Sequence, residues 1–399
     1  MTEFWLNLTP TEPLRVGELK PTGQYLSTRS YVPGSVLRGA LAEWFIAQGR
    51  EAQIVPVVRR MRFGNFFPTV SAQVLSLPFP ITALECKLKG GFHKVPRERK
   101  KDAGHGIRDS LLIALVYVEL ERLGARFPVP MLLRCSHADE GTPCGGRMER
   151  VNGFYARLDD GWVKVSPSRG IQTKVALSRY RRAARERMLY YVLGLRPHGL
   201  SFVGRIWSED DAVIAELKEA AQSIGIGALT TRGFGSVQIS EVEPALPSLK
   251  ERLQAFNERL REVWRSLADL ARQVGVEVPG EPLGLYFSVD LLVPALLRDR
   301  HGLPTLRLEL NLDGELLVPV WWATQTTFVG GWSTAWGLPK PTGLGAAQGS
   351  TYVFRTKRSV EELVPLLESL EAQGVGERTD EGLGEIIVCH PFHMEVMPV

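Results

Sequence analysis

The chain opens on Phe4-Trp5-Leu6-Asn7-Leu8, an apolar run broken by one polar residue, which predicts a strand. A polar stretch containing Gly and Pro follows up to Gly34. Residues 35–46 then read as a helix, with Pro33 and Gly34 just before its start. Turn residues mark both ends of 86–150, around a helix expected over 108–123, and strands occupy much of 160–206. A helix near 208–223 and a strand over 236–242 complete the first half. The most regular pattern is Leu249, Leu253, Phe256, Leu260, Val263, Leu267 and Leu270, an alternating four-and-three spacing with charges between. Ser248 and Glu251 form a capping box at its start. The segment 248–273 therefore reads as a linker helix packed on one or both domains; a partner-binding coiled coil is the alternative, for which three heptads are marginal. Strands resume at 285–292 and run to Phe354, followed by a helix over 360–373 and a last strand at 385–389.

Each half thus ends in the order helix, glycine loop, strand. The loops are Gly225-Ile-Gly227-Ala-Leu-Thr-Thr-Arg232-Gly233-Phe-Gly235 and Gly374-Val-Gly376-Glu-Arg-Thr-Asp-Glu-Gly382-Leu-Gly384. Both have the spacing Gly-x-Gly-x5-Gly-x-Gly. Glycine fills 39 of 399 positions, so this spacing arises by chance at roughly one in ten thousand per position, and two copies at equivalent points argue for duplication. Such a loop exposes backbone N–H groups suited to phosphate oxygens. The lysine that completes an ATP-binding loop is missing, which argues against a nucleoside triphosphatase. A tight helix-to-strand connection without ligand is the other reading, and it weighs more on the second loop. There Glu377, Asp380 and Glu381 would repel phosphate, so phosphate contact is assigned to the first loop.

A length of 399 residues fits two domains with an insertion, expected as 1–247 and 280–399 with the insertion near 86–150. The apolar fraction of 44% is enough for two cores. No run approaches the roughly 18 apolar residues of a membrane span. The start of the chain has no basic-then-apolar leader, so a soluble cytoplasmic protein is expected. A net charge of +4 announces no nucleic-acid partner, but its distribution is uneven. Residues 164–187 hold eight Lys or Arg against one Glu, and a shorter basic run spans 93–101. Interleaved Arg and Tyr in Lys174, Arg179, Tyr180, Arg181, Arg182 and Arg185 suit phosphate contact and base stacking; a solvated face is the bland alternative. Four cysteines make no disulfide scaffold. Cys135-x8-Cys144 encloses a polar, turn-like loop that would gain from a metal, against free thiols as the alternative.

The first glycine loop, the helix start Ser35-Val-Leu-Arg38-Gly-Ala-Leu41, and Leu8-Thr9-Pro10 with Val16-Gly17 resemble the CRISPR-associated RAMP superfamily. Gly330-Gly331-Trp332-Ser333, Gly337-Leu338-Pro339-Lys340-Pro341 and Gly349-Ser350 are similar to the second domain of its two-domain members, among them the type III-D subunit at the crRNA 5′ end. The resemblance implies an α+β fold of two ferredoxin-like (RRM-like) domains in tandem. It implies a non-catalytic, crRNA-binding subunit that holds the 5′ repeat-derived tag. Its expected partners are crRNA, the large polymerase/cyclase-like subunit and the RAMP backbone subunits. On this reading Ser35, Arg38, the 174–187 segment and Gly225, Gly227, Arg232, Gly233 and Gly235 are the RNA contacts. The resemblance also matches Cys86, His105, Cys135 and Cys144 to a Cys3His set for structural zinc, with His137 the competing fourth ligand. Two other readings stay open. By the resemblance, a RAMP endoribonuclease that processes repeat RNA would need a His or Tyr near the early helix, but His93 is distant in sequence and Tyr25 and Tyr31 are more simply packing residues. One that cuts target RNA would need an Asp on the loop after the first strand, yet no Asp precedes Asp102 and Glu18 is a poor substitute. A scaffold subunit would bind only protein. Cys389, His390 and His393 read as core and edge residues.

Overall fold

The computed structural model describes residues 2–18, 25–125, 133–139, 141–333 and 336–395, with the side chains of 139 and 185–187 left aside. The fold is mixed α and β, and it repeats one arrangement. In the first half, β1 (Thr2–Pro10), α1 (Gly34–Ala47), β2 (Met61–Phe63), β3 (Ser201–Ser208), α2 (Ala212–Ile224) and β4 (Val237–Glu241) follow in chain order. Their strands lie side by side as β4-β1-β3-β2, all antiparallel. Alternation decides which face is covered: Leu6 and Leu8 on β1, Phe202 and Ile206 on β3, and Val237 and Ile239 on β4 point inward. Leu37, Leu41 and Phe45 of α1 and Val213, Ile214 and Leu217 of α2 close over them. The expected helix at 35–46 is α1, begun by Pro33 in extended geometry.

The second half repeats the strand order without its first helix. After α3 (Leu249–Gln273) come β5 (Leu285–Leu291), β6 (Trp321–Ala323), β7 (Thr351–Thr356), α4 (Val360–Gln373) and β8 (Ile386–Val388). They pair as β8-β5-β7-β6. Chain between β5 and β6 forms two short hairpins instead of a helix. The helical layer is completed by α3 and by helix Leu111–Arg122, which share one core with β5, β7 and α4. The 249–272 pattern is thus the buried face of a helix that belongs to the second core. Its apolar seam drifts along the helix: Trp264, Ala268 and Ala271 are buried, while Leu270 turns out to 44% exposure. A 3.5-residue repeat written on a 3.6-residue helix does this over its length. Asn257 on α3 bonds both Tyr286 N and Tyr286 O, satisfying the part of β5 that β8 is too short to cover. Glu119 of helix Leu111–Arg122 is buried and accepts from Tyr286 Oη and Arg355.

Between β2 and β3 lie most of the remaining elements of the first half. Strands Ala83–Cys86, Ile107–Asp109 and Met148–Arg150 form one small sheet, and Ser76–Pro78, Phe154–Leu158 and Gly161–Val165 another. Both lie under an aromatic core in which Phe392 meets Phe79 and Tyr155 edge to face while those two rings are tilted against each other. A long hairpin follows, Arg169–Ser178 against Ala183–Leu195. No helix among the described residues is long and apolar enough to cross a membrane.

The two halves join through buried charge. Arg205 on β3 donates to Glu385 at 3.3 Å, and Arg62 on β2 donates to the carbonyls of Glu371 and Ala372 at the end of α4, whose Glu371 carboxylate is held within the second unit by Arg252 on α3. A guanidinium at a helix C-terminus meets carbonyls that have no partner within the helix. His393 sits at the meeting point of three segments, its Nδ1 2.8 Å from Asp109 and its Nε2 2.9 Å from Asp290. His390 and Cys389 are buried beside it, which agrees with the core reading of the terminal cluster.

Candidate nucleic-acid interface and metal centre

The two glycine loops share a backbone course as well as a spacing. Each starts at the end of a helix, Gly225 bonding Ala221 O and Gly374 bonding Leu370 O. Ile226 N and Val375 N donate to Gly235 O and Gly384 O, and Gly235 N and Gly384 N donate to Pro13 O and Pro294 O. Both turn through a left-handed non-glycine residue, Leu229 or Arg378, before a short 3-10 turn. The second glycine shows why no other residue fits. A Cβ on Gly227 would lie 2.5 Å from Arg15 O, and one on Gly376 would lie 2.4 Å from Leu296 O. The spacing therefore encodes close packing of each loop on the segment that leaves the first strand of its own unit.

The loops differ in what they face. The second docks on the first unit: Asn65 Nδ2 donates to Gly382 O at 2.7 Å and to Glu385 at 2.8 Å. Its three acids, expected to repel phosphate, are ion-paired: Glu377 with Arg298, Asp380 with Arg38, and Glu381 with both Arg378 and Lys340. Burial opposes ionisation of Glu381, but the two cations outweigh it and hold its carboxyl below the ordinary range. The first loop meets the long hairpin instead. Arg232 donates to Tyr190 Oη at 3.1 Å, and the Lys174 ammonium lies 5.9 Å from the Phe234 ring centre.

Between the units runs an open groove of about 930 Å³. One wall is the first turns of α1, with Ser35 and Arg38, beside Gly225 and Gly227 of the first loop. The opposite wall is hairpin Thr326–Ser333/Leu338–Ala346, and Asn65, Arg378 and Glu381 line it too. Arg29, Arg38, Arg59, Lys340 and Arg378 line the groove against Glu18, Glu43 and Glu381. Asn65 Oδ1 accepts from Gly34 N at the start of α1, but Pro33 supplies no side-chain cap and the first turn holds no acid, so the helix dipole still favours an anion there.

The residues singled out from the sequence fall into two groups. Ser35, Arg38, Gly225 and Gly227 line the groove, although Arg38 is engaged by Asp380. Lys174, Arg232, Gly233 and Gly235 meet at the first loop and hairpin, away from the groove lining. Arg179, Tyr180, Arg181 and Arg182 form the exposed tip of the hairpin, and the Tyr180 ring is 97% exposed. The side chain of Arg185 is outside the described residues. Arg29, Arg59, Phe328 and the groove side of Trp332 also line the groove but were not singled out from the sequence. The available signal was Gly330-Gly331 set between two aromatics, a bare backbone flanked by large rings.

A separate cluster holds Cys86, His105, Cys135 and Cys144, whose donor atoms all lie within 4.8 Å of one another. Cys86 Sγ and Cys144 Sγ are 3.8 Å apart, and Cys135 Sγ is 3.7 Å from His105 Nδ1. Metal–sulfur bonds of about 2.3 Å at tetrahedral angles give a sulfur–sulfur edge of about 3.8 Å, so the set fits a tetrahedral ion. Two backbone turns support it. Burial raises the Cys86 thiol, but N–H groups of Lys89 and Leu88 and the neighbouring thiols outweigh burial and lower it. Burial pushes Cys135 up to about 11, against the N–H of His137. Backbone N–H groups aimed at sulfur stabilise thiolate, the form that binds metal. His137 lies beside the set, its ring stacked on His105 at 4.2 Å.

The sequence matches the family model of the RAMP superfamily over residues 7–238. No curated protein matches it. Among solved structures, a chain of the type III-B Cmr-beta complex bound to cognate target RNA is 10% identical, covering 92% of this chain and 94% of that one at a TM-score of 0.38. A chain of the Csm3–Csm4 subcomplex of the type III-A CRISPR-Cas interference complex is 13% identical, covering 90% and 95% at a TM-score of 0.34. Since the family match spans more than half of the sequence, from the first strand to the strand after the first glycine loop, this chain belongs to the RAMP superfamily.

Proposed function

We propose that the chain is a non-catalytic, RNA-holding subunit of a type III CRISPR interference complex, with the 5′ tag of the crRNA in the groove between its two units. In this reading the units are ferredoxin-like domains, 1–247 and 280–399, joined through the 248–273 helix. The sheet orders β4-β1-β3-β2 and β8-β5-β7-β6 support it. The observation that carries the function is the groove. The α1 start and the first glycine loop face an aromatic hairpin across it, with five cations against three carboxylates on its lining. Single-stranded RNA is recognised by that combination of phosphate contacts and stacking. The exposed basic hairpin and the surface around it are left for the large subunit and the backbone subunits. Cys86, His105, Cys135 and Cys144 hold structural zinc, which ties strand Ala83–Cys86 to the turns around 135 and 144.

The test is RNA binding by the full chain as salt is varied. Replacing Arg29 and Arg59 with Glu should weaken single-stranded RNA binding at least ten-fold and lower the salt slope by about 0.7 per lost contact. Repeat RNA incubated with the protein should remain intact. Unchanged affinity and slope would rule out the groove, and cleavage of repeat RNA would establish the nuclease reading instead.

A further inference from the structure

Strand Thr326–Ser333 carries two large rings into the groove, Phe328 at 68% exposure and Trp332 at 53%. Neither ring is in the core, whereas Val329 between them is buried. The residues separating them on the groove side are Gly330 and Gly331, where the hairpin register shifts. No Cβ therefore projects between the rings, and flat groups can approach the backbone there. At roughly 3.3 Å per residue the rings stand about 13 Å apart along the strand, less the shift. That is several times the ~3.4 Å of one stacked base, so they serve separate bases rather than clamping one.

We infer that Phe328 and Trp332 are stacking platforms for two unpaired nucleobases of an RNA strand whose phosphates run along the opposite, α1 side of the groove. This rests on the proposed function and deepens it by naming how the strand is oriented: bases toward the second unit, phosphates toward the first. The division of chemistry across the groove supports that orientation. The first unit contributes Arg29, Arg59 and Arg38, of which Arg38 is paired with Asp380, while the second unit contributes Lys340 and Arg378, both of which Glu381 already pairs. A paired duplex hides its base faces and cannot use such a wall. A protein partner would find rings beside a cationic cleft that it has no phosphates to fill.

Three ligands separate the possibilities: an eight-nucleotide single-stranded RNA, the same strand with abasic positions, and its duplex. Affinity is measured by anisotropy with the full chain carrying Phe328→Ala or Trp332→Ala. Each substitution should weaken the single strand about ten-fold, as loss of one stacked base does, with melting temperatures recorded for each variant to show that the fold is kept. The salt slope should not move, because a neutral ring is removed. The abasic strand should bind the parent protein and the variants alike, and Trp332→Phe should recover most of the loss. Equal binding of the single strand by parent and variants would overturn the wall while leaving the groove reading intact. So would loss of co-purifying subunits with RNA affinity unchanged, which would make the rings a protein contact. If the parent chain binds no single-stranded RNA at all, the proposed function falls and the wall with it.

Discussion

Arg38 on α1 donates through Nη1 to Oδ2 of Asp380 in the second glycine loop at 2.6 Å, so an acid of one unit occupies a cation at the helix start of the other. Both side chains are partly open to solvent, 32% and 57%, and such pairs contribute up to about 1 kcal/mol. Asp380→Asn should therefore barely change stability. It should free Arg38 for phosphate, raising single-stranded RNA affinity a few-fold at low salt and steepening the salt slope. A salt titration of Kd checks this; an unchanged slope means that Arg38 does not face RNA.

The buried pair across the same boundary should behave oppositely. Glu385 accepts from Arg205 and from both nitrogens of Asn65, all nearly closed to solvent. Glu385→Ala removes an acid from the buried Arg205 guanidinium, which keeps Glu3 at 3.4 Å and Glu371 at 4.0 Å, and leaves Asn65 N without its acceptor, which together cost about 2–3 kcal/mol. Denaturant unfolding should show the midpoint falling accordingly, without recovery at high salt.

Within one glycine loop, two substitutions should differ sharply. Gly227→Ala puts a methyl 2.5 Å from Arg15 O, and backbone must move to accept it. Gly233→Ala meets nothing within 4 Å and carries only the strain of its positive φ, about 1–2 kcal/mol. Thermal melting of the two variants tests whether the spacing is held by packing. Equal losses would point to φ alone.

Metal analysis of the purified protein should give one zinc per chain. Cys86→Ser and Cys144→Ser should each lose it, while Cys389→Ser, buried far from the cluster with its thiol pushed up to about 12 by burial, should keep it. A chelator should lower the melting temperature of the parent and leave the Cys86→Ser variant unaffected. Full zinc content in Cys144→Ser would direct attention to His137 as a ligand.

The C-terminal histidines give stability a defined pH dependence. Burial alone would lower His393, but the carboxylates of Asp290 and Asp109 overcome it and raise it to about 10. Its contribution is fully present below about 6.5, its unfolded value, and is lost as pH rises through about 10. His390 is driven down to about 3 by burial, so the folded state excludes a proton that the unfolded chain takes up. That contribution is present above about 6.5 and is lost as pH falls toward 3. Unfolding free energy should peak near neutrality, and His393→Ala should flatten the alkaline limb. The same variant strands Asp109 and Asp290 in the core at a cost of about 3–5 kcal/mol.

Much of this protein is legible in its sequence because the relevant physics is local. Capping at Ser248, alternation in β1, the helix start at Pro33 and the doubled glycine spacing each follow from a few neighbouring residues. Of the four candidate metal ligands, Cys135 and Cys144 stand out locally by the polar, turn-like loop between them, whereas Cys86 and His105 came only from the family resemblance. Tertiary structure decided what each feature meets. The 249–272 stripe reads the same whether it spans a linker or closes a core, and only β5 and β7 determine that it closes the second unit. Glu377, Asp380 and Glu381 look hostile to RNA along the chain, yet Arg298, Arg38 and Lys340 pair with them from distant positions and Arg378 from within the loop. Phe328 and Trp332 gain a role only because the second unit turns their hairpin toward α1. Periodicity records which face of an element is apolar; which partner covers that face depends on pairings hundreds of residues apart, and no local pattern encodes them.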